Sequence, residues 1–101
     1  MSLAGFDDLI HAPLRLRICA ILSATDEAEF ALVREETGVS ESVLSKHVKQ
    51  LEEAGYMKVR KAVLAQRQRT WLALTAAGRA AFAAHMAALA RLAAQARVAA
   101  G

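Results

Sequence analysis

The sequence predicts a mainly α-helical fold with a small β-hairpin wing: a helix-turn-helix, a basic hairpin, and a long C-terminal helix. Three observations carry this expectation. Residues 30–55 read as two short helices joined at Gly38-Val39-Ser40, the second with Leu44, Val48 and Leu51 spaced four and three apart. That spacing lays one apolar stripe against a core and turns Ser42, Ser45, Lys46 and Lys49 outward. The next segment, YMKVRKAVLAQRQRTWLALT, has strand-like composition and carries five cations and no acid. Beyond Thr75 the chain is alanine-rich, with Phe82, Met86, Leu89, Ala93 and Ala96 at intervals of four, three, four and three. Such a seam suits packing against another helix.

A short helical piece around residues 6–10 is expected before Pro13. Proline suits the first turn of a helix, where its missing N–H costs nothing. Leu14, Ile18, Ile21 and Leu22 give that helix its stripe, which ends near Ser23-Ala24-Thr25. The acidic loop Asp26-Glu27-Ala28-Glu29 leads to Phe30, a candidate for a very short strand. A helix over about 31–37 turns Leu32 and Val33 inward and stops at Gly38. Ser40 caps the next helix, because its hydroxyl can accept an orphan N–H of the first turn, and Gly55 ends it. Only Val39 separates Gly38 from Ser40, a turn short enough for the two helices to cross steeply. Strands are expected over 56–61 and 69–74, with Met57, Val59, Leu72 and Leu74 on the inner face. The link over about 62–68 is longer than a two-residue turn, as suits a loop that reaches a ligand. Thr75 caps the last helix, expected to run over about 76–99.

A chain of 101 residues, 55% apolar and 23% charged, fits one folded domain with a single modest core. Alanine inflates the apolar share, and the apolar face of the last helix is too wide for a lone monomer. The net charge of +3 conceals an asymmetry: all ten acids lie at or before Glu53 with five of the bases, and the eight bases from Lys58 onward meet no acid. Cations without local neutralising neighbours favour a polyanionic partner. Arg79, Arg91 and Arg97 are read instead as solubilising the alanine-rich helix.

Cys19 is the only cysteine of the sequence, so the natural compartment is the reducing cytoplasm. The N-terminus, MSLAGFDDLIH, has acids where a secretory signal needs bases. Residues 75–100 are interrupted by Arg79, His85, Arg91, Gln95 and Arg97, short of the ~20 apolar residues of a membrane span. No membrane partner is expected.

Enzyme chemistry lacks its usual constellations: there is no glycine-rich phosphate loop, nucleophile elbow or paired carboxylate with a nearby histidine. The acids fall in solvated runs such as Glu35-Glu36 and Glu52-Glu53. His11, His47 and His85 are far apart in the chain, and a lone cysteine offers none of the paired-thiol spacing of zinc sites. Neither a metal nor another cofactor is expected. Cys19 falls beside Ile18 and Leu22, which favours a buried, inert thiol.

His11 with Pro13-Leu14-Arg15-Leu16, then LSKHVKQLEEAGYMKVRK, then RTWLALTAAGRAAF resemble the winged-helix regulators of the MarR type, and the small stand-alone winged-helix DNA-binding family close to it. The resemblance covers residues 9–92. The middle motif is shared loosely with ArsR-type repressors, whose metal sensing calls for a cysteine cluster absent here; the third is more specific to the MarR-like group. Ala76 stands where the family often has proline, a harmless change at a helix start. The resemblance implies a single winged-helix DNA-binding domain over 1–101, with a recognition helix over about 41–54, a wing over about 56–74 and a dimerisation helix over about 76–99. It implies a homodimeric transcriptional regulator, with the recognition helix in the major groove and the wing on the flanking backbone or minor groove.

On that frame Ser42, Ser45 and Lys46 are the candidates for base edges, and Lys49 for a phosphate. His47 either flanks the core stripe or hydrogen-bonds a phosphate. Glu41 opens the recognition helix with a negative charge, which favours the helix N-terminus more simply than it serves a cytosine amino group. Arg60, Lys61, Arg67 and Arg69 are the wing candidates, with Arg67 foremost; Arg69 pairs equally well with Glu52 or Glu53. Trp71 is read as packing. The dimer candidates are Phe82, Met86, Leu89 and Ala93, with Phe6, Leu9 and Ile10 from the N-terminal segment. The chain is short for a dedicated sensing domain, leaving room for a small effector pocket at most. The alternative reading is a winged-helix protein-interaction module that never touches DNA, because fold alone does not choose between these roles.

Overall fold

The computed structural model describes residues 3–98, with the backbone of the last helix continuing to Ala100. Met1, Ser2 and Gly101, the ends of the expected 1–101 span, lie outside the described residues. The order is α1 (Asp8–His11), α2 (Pro13–Ser23), β1 (Ala28–Glu29), α3 (Phe30–Thr37), α4 (Glu41–Glu53), β2 (Met57–Leu64), β3 (Arg67–Leu74) and α5 (Ala76–Ala100). The strands form one antiparallel sheet in the order β1-β3-β2.

The core is where the helical stripes meet. Ile10 of α1, Ile18 and Leu22 of α2, Val33 of α3, Leu44 and Leu51 of α4 and Leu72 of β3 are all fully buried. Each such side chain contributes roughly 1.5–3 kcal/mol by leaving water. Gly38 ends α3 in the left-handed region at φ 71° and returns its N–H to the Arg34 carbonyl at 2.8 Å. Ser40 then caps α4, its Oγ accepting from the Val43 N–H at 3.2 Å. These two local devices set the sharp turn between the helices. Within α3 the inward residues are Val33 and Thr37, whose hydroxyl donates to the Val33 carbonyl at 2.9 Å. Leu32, expected inward, is 48% exposed because it falls one position off the buried line. Phe30 opens α3 rather than joining the strand, which is Ala28–Glu29.

The hairpin is longer and tighter than its sequence reads. Pairing runs from Met57↔Leu74 through Val59↔Leu72 to Leu64↔Arg67, leaving a two-residue turn in place of the expected long link. Ala65 and Gln66 both have positive φ, 52° and 64°, as a primed hairpin turn demands. Asn-Gly would have announced such a turn; Ala-Gln conceals it. Val63 and Leu64 next to the turn are exposed.

A compact junction fixes α5 to the sheet. Thr75 accepts from the Gly78 N–H at 2.9 Å and donates to the Gly55 carbonyl at 2.6 Å, while its own N–H reaches the Tyr56 carbonyl at 3.0 Å. The helix start approaches so closely that a Cβ on Gly78 would sit 2.1 Å from the Tyr56 carbonyl oxygen. Along α5 the buried residues are Gly78, His85 and Ala88, with Ala81 and Phe82 packed at the core's edge. Arg79 and Arg91, read from sequence as solubilising, instead donate to the Thr25 and Ala4 carbonyls and tie α5 to the body. The distal helix projects, giving extents of 59 × 25 × 21 Å, and Met86 (43%) and Leu92 (44%) stay exposed. Ile10, expected at a dimer interface, has no exposed surface because α1 turns it into its own core.

Backbone substitutions check this account. Gly78→Ala is expected to destabilise by about 1–3 kcal/mol or more, since backbone rather than a flexible side chain must give way. Gln66→Gly is expected to stabilise by up to about 1 kcal/mol by relieving a left-handed non-glycine residue. Thermal denaturation of both variants, with opposite signs of the shift in Tm, is the measurement.

Candidate nucleic-acid interface

The inward stripe of α4 leaves Ser42, Ser45, Lys46 and Lys49 exposed, as the spacing predicts. Ser45 and Lys49, with Glu41 and Glu52 of the same helix, border a groove of about 690 Å³ between α4 and the sheet, whose far side carries Lys61 and Thr70. An adjoining cleft of about 380 Å³ brings Arg67, Gln68 and Arg69 of β3 opposite Arg34 of α3, with Glu41 at its edge. The helix and the hairpin thus present their polar groups to one continuous surface. Arg34 is a cation that the sequence did not single out; its proximity to Arg67 comes from the way α3 meets β3.

Not all the expected wing cations are free. Arg60 pairs with Glu27 at 2.7 Å and lies 5.6 Å from the centroid of the Trp71 ring. Arg69 pairs with Glu29 at 2.9 Å, not with Glu52 or Glu53. The reason is β1, which pairs with β3 in the register Glu29↔Trp71 and so lays Glu29, with Glu27 just before the strand, along the hairpin. Both pairs are partly exposed, the kind worth roughly 0.2–1 kcal/mol each. They brace the base of the hairpin and neutralise two of its charges. Lys58, Lys61 and Arg67 have no ion-pair partner among the described residues.

His47 is half-buried on the flank of α4 away from the sheet and is engaged from behind. Arg15 of α2 reaches the Leu9 carbonyl through Nε at 2.5 Å, His47 Nδ1 through Nη1 at 2.9 Å and Gln50 Oε1 at 2.8 Å. Burial, then the Arg15 and Lys46 charges, hold the imidazole below its ordinary value of 6.5 against the Gln50 hydrogen bond.

A second polar cluster lies at the joint of the N-terminal segment and α5. His85 is fully buried; its Nδ1 accepts from the Asp7 N–H at 2.9 Å and its Nε2 lies 3.2 Å from His11 Nδ1. Because Nδ1 accepts, neutral His85 carries its proton on Nε2 and donates it to His11. Phe6 sits against both rings, with centroids 4.7 Å from His11 and 4.8 Å from His85. Asp7 anchors the segment, accepting from the Ile10 N–H at 3.0 Å and the Tyr56 hydroxyl at 2.6 Å. Burial works against the Asp7 carboxylate, but the Tyr56 and backbone hydrogen bonds leave it below 3.8. Histidines distant in sequence are therefore neighbours here, yet no group of three or more metal-ligating side chains occurs among the described residues. Cys19 is buried, and burial pushes its thiol up to about 11, so it is not a reactive thiolate at neutral pH. No helix among the described residues is long and apolar enough to cross a membrane.

An exposed polar helix face set beside a basic two-stranded hairpin defines a winged-helix module. Residues 14–93 match the family model described as the winged helix DNA-binding domain, and the chain belongs to that family. It is 31% identical over 74 residues to an uncharacterized protein of Methanocaldococcus jannaschii, covering 73% of this chain and 80% of that one. Among solved structures it resembles a transcriptional regulator homologue from Pyrococcus horikoshii, with a TM-score of 0.81, 24% identity and 86% of each chain covered. It also resembles a MarR-family transcriptional regulator from Silicibacter pomeroyi, with a TM-score of 0.60, 30% identity, and 83% of this chain and 58% of that one covered. The protein is a MarR-like winged-helix DNA-binding regulator, not an enzyme.

The histidine joint sets an acid dependence of stability. Burial first, then the neighbouring His11, hold His85 below 6.5, with Asp7 and Asp8 opposing. The unfolded chain therefore takes up a proton that the folded chain resists, so stability is full above pH 6.5 and declines as pH falls below it. His47 acts with the same sign. Denaturant unfolding at pH 7.5 and pH 5.5 is expected to show the loss, and His85→Asn to flatten it; an equal loss in the variant would contradict the assignment.

Proposed function

We propose that the chain is a sequence-specific double-stranded DNA-binding transcriptional regulator that acts as a homodimer in the cytoplasm. The observation that supports this most is the shared surface of α4 and the hairpin, where Lys46 and Lys49 on the helix and Lys61 and Arg67 on the hairpin have no ion-pair partner among the described residues, although Glu41 and Glu52 line the same groove. In this reading α4 enters the major groove by its N-terminal half. Ser42, Ser45 and Lys46 face base edges, while Lys49, Lys61 and Arg67 meet phosphates or the flanking minor groove. His47 donates to a phosphate. Arg60 and Arg69, paired at the hairpin base, hold the wing's shape and contribute less to affinity than the unpaired cations. Glu41, in the first turn of α4, serves the positive end of the helix.

The dimer uses the projecting part of α5. Met86, Leu89 and Ala93 lie on a face that its own chain leaves at least partly open. Phe6 supports that helix from within through its contact with His85, and Leu9 packs against the core. Two-fold symmetry then places the recognition helices on half-sites about one helical turn, ~34 Å, apart.

Two tests address these claims separately. Lys46→Ala and Arg67→Ala are each expected to weaken duplex binding and to lower the magnitude of the log–log salt slope by ~0.9, the loss of one neutralised phosphate. Unchanged affinity and slope in both variants would rule the interface out. Met86→Glu is expected to yield monomer by sedimentation; an unchanged dimer would exclude that seam.

A further inference from the structure

We propose that Arg15 is a positioning residue for DNA recognition: it locks the His47 ring so that its Nε2–H is the one donor offered to a DNA phosphate. The inference rests on the DNA-binding reading and names a residue outside the exposed face.

The chemistry follows from donor counts. A guanidinium has five N–H donors and no acceptor. At the 2.9 Å contact Arg15 Nη1 must therefore donate, and His47 Nδ1 must accept. An imidazole that accepts at Nδ1 holds its one proton on Nε2, so the ring becomes a donor on its remaining edge. The same guanidinium holds Gln50, one helical turn along α4, and is itself fixed by the Leu9 carbonyl beyond α1's own core residue. Arg15 thus acts as a three-point clamp between the start of α2 and one flank of α4.

The placement gives that donor a use. Lys61 and the groove-lining residues of the sheet stand on the Ser45 side of α4. Val43, His47 and Gln50 form the opposite flank of α4, and among the described residues none of the three lines the groove shared with the hairpin. A helix in a major groove about 12 Å wide has a phosphate wall on each side. The wing serves one wall; His47, backed by Arg15, serves the other. A cation donating into Nδ1 polarises the ring and strengthens its Nε2–H as a donor, carrying part of the Arg15 charge outward without exposing the guanidinium. The charged groups acting on the ring are Arg15 from α2 and Lys46 from its own helix, both cations, while the Asp7 carboxylate is occupied by Tyr56 and Ile10.

The test combines Arg15→Met, which removes every donor at similar length, with nitrogen NMR of the His47 ring and duplex binding at pH 8 and pH 5.5. Wild-type protein is expected to show the Nε2–H tautomer and to titrate below 6.5. In the variant the tautomers mix and the titration moves toward 6.5. Duplex affinity is expected to fall roughly tenfold at pH 8, about 1.4 kcal/mol. It recovers in part at pH 5.5, where the freed ring becomes a cation and adds ~0.9 to the salt slope. A loss equal at both pH values, or a His47 tautomer and titration unchanged by the variant, overturns the positioning role. Arg15→Lys, which keeps the charge and loses the fork, reads the same way should Arg15→Met fail to fold. Wild-type protein that binds no duplex at low salt overturns the DNA reading itself; wild-type binding that Arg15→Met leaves intact at pH 8 overturns the role of Arg15 alone.

Discussion

Burial of the Leu44, Val48 and Leu51 stripe fixes the rotation of α4 about its axis, and every functional statement about this molecule depends on that rotation. With the stripe sealed against α2, α3 and the sheet, the opposite face of α4 is polar by necessity. Rotating the helix by one residue would put a hydroxyl or an ammonium into the core without a partner, at a cost of several kcal/mol. The capping of α4 by Ser40 and the left-handed stop at Gly38 set where the helix begins and how sharply it leaves α3. A rigid core thus aims a short polar face.

Electrostatics then divides the remaining work. Net charge alone marks the C-terminal half as basic, but the folded chain spends part of that charge on itself. β1 pairs with β3 and brings Glu29 and the adjacent Glu27 to the hairpin, where Arg60 and Arg69 are drawn into ion pairs that stiffen it. Arg79 and Arg91 tie α5 down through backbone carbonyls. What stays available is the set without an ion-pair partner among the described residues, including Lys46, Lys49, Lys61 and Arg67. On the opposite flank of α4, Arg15 works through His47 rather than by direct exposure. At the foot of α5 one proton fits between His85 Nε2 and His11 Nδ1, and burial holds the His85 ring below its ordinary value.

Much of this was legible in the sequence because it depends on short-range rules. The α4 stripe, the Ser40 and Thr75 caps and the inner-face residues Met57, Leu72 and Leu74 follow from periodicity and capping chemistry, and the structure contains each of them. The turn at Ala65-Gln66 was hidden because strand pairing imposed a backbone conformation that neither residue prefers. Leu32 and Ile10 were misplaced for a shared reason: one step in register decides between core and surface in a short helix. The candidate site was harder still. Partners of Arg60, Arg69, Arg15 and His85 are separated by dozens of residues, and no local pattern announces such pairs.

Selection of bound sequences from a random duplex pool by the purified protein tests the central claim most directly. Enrichment of a near-palindromic site is expected, with half-sites about one helical turn (~34 Å) apart, as two α4 helices related by a two-fold axis require. Absence of any enriched sequence, even at low salt where backbone contacts are strongest, would contradict it.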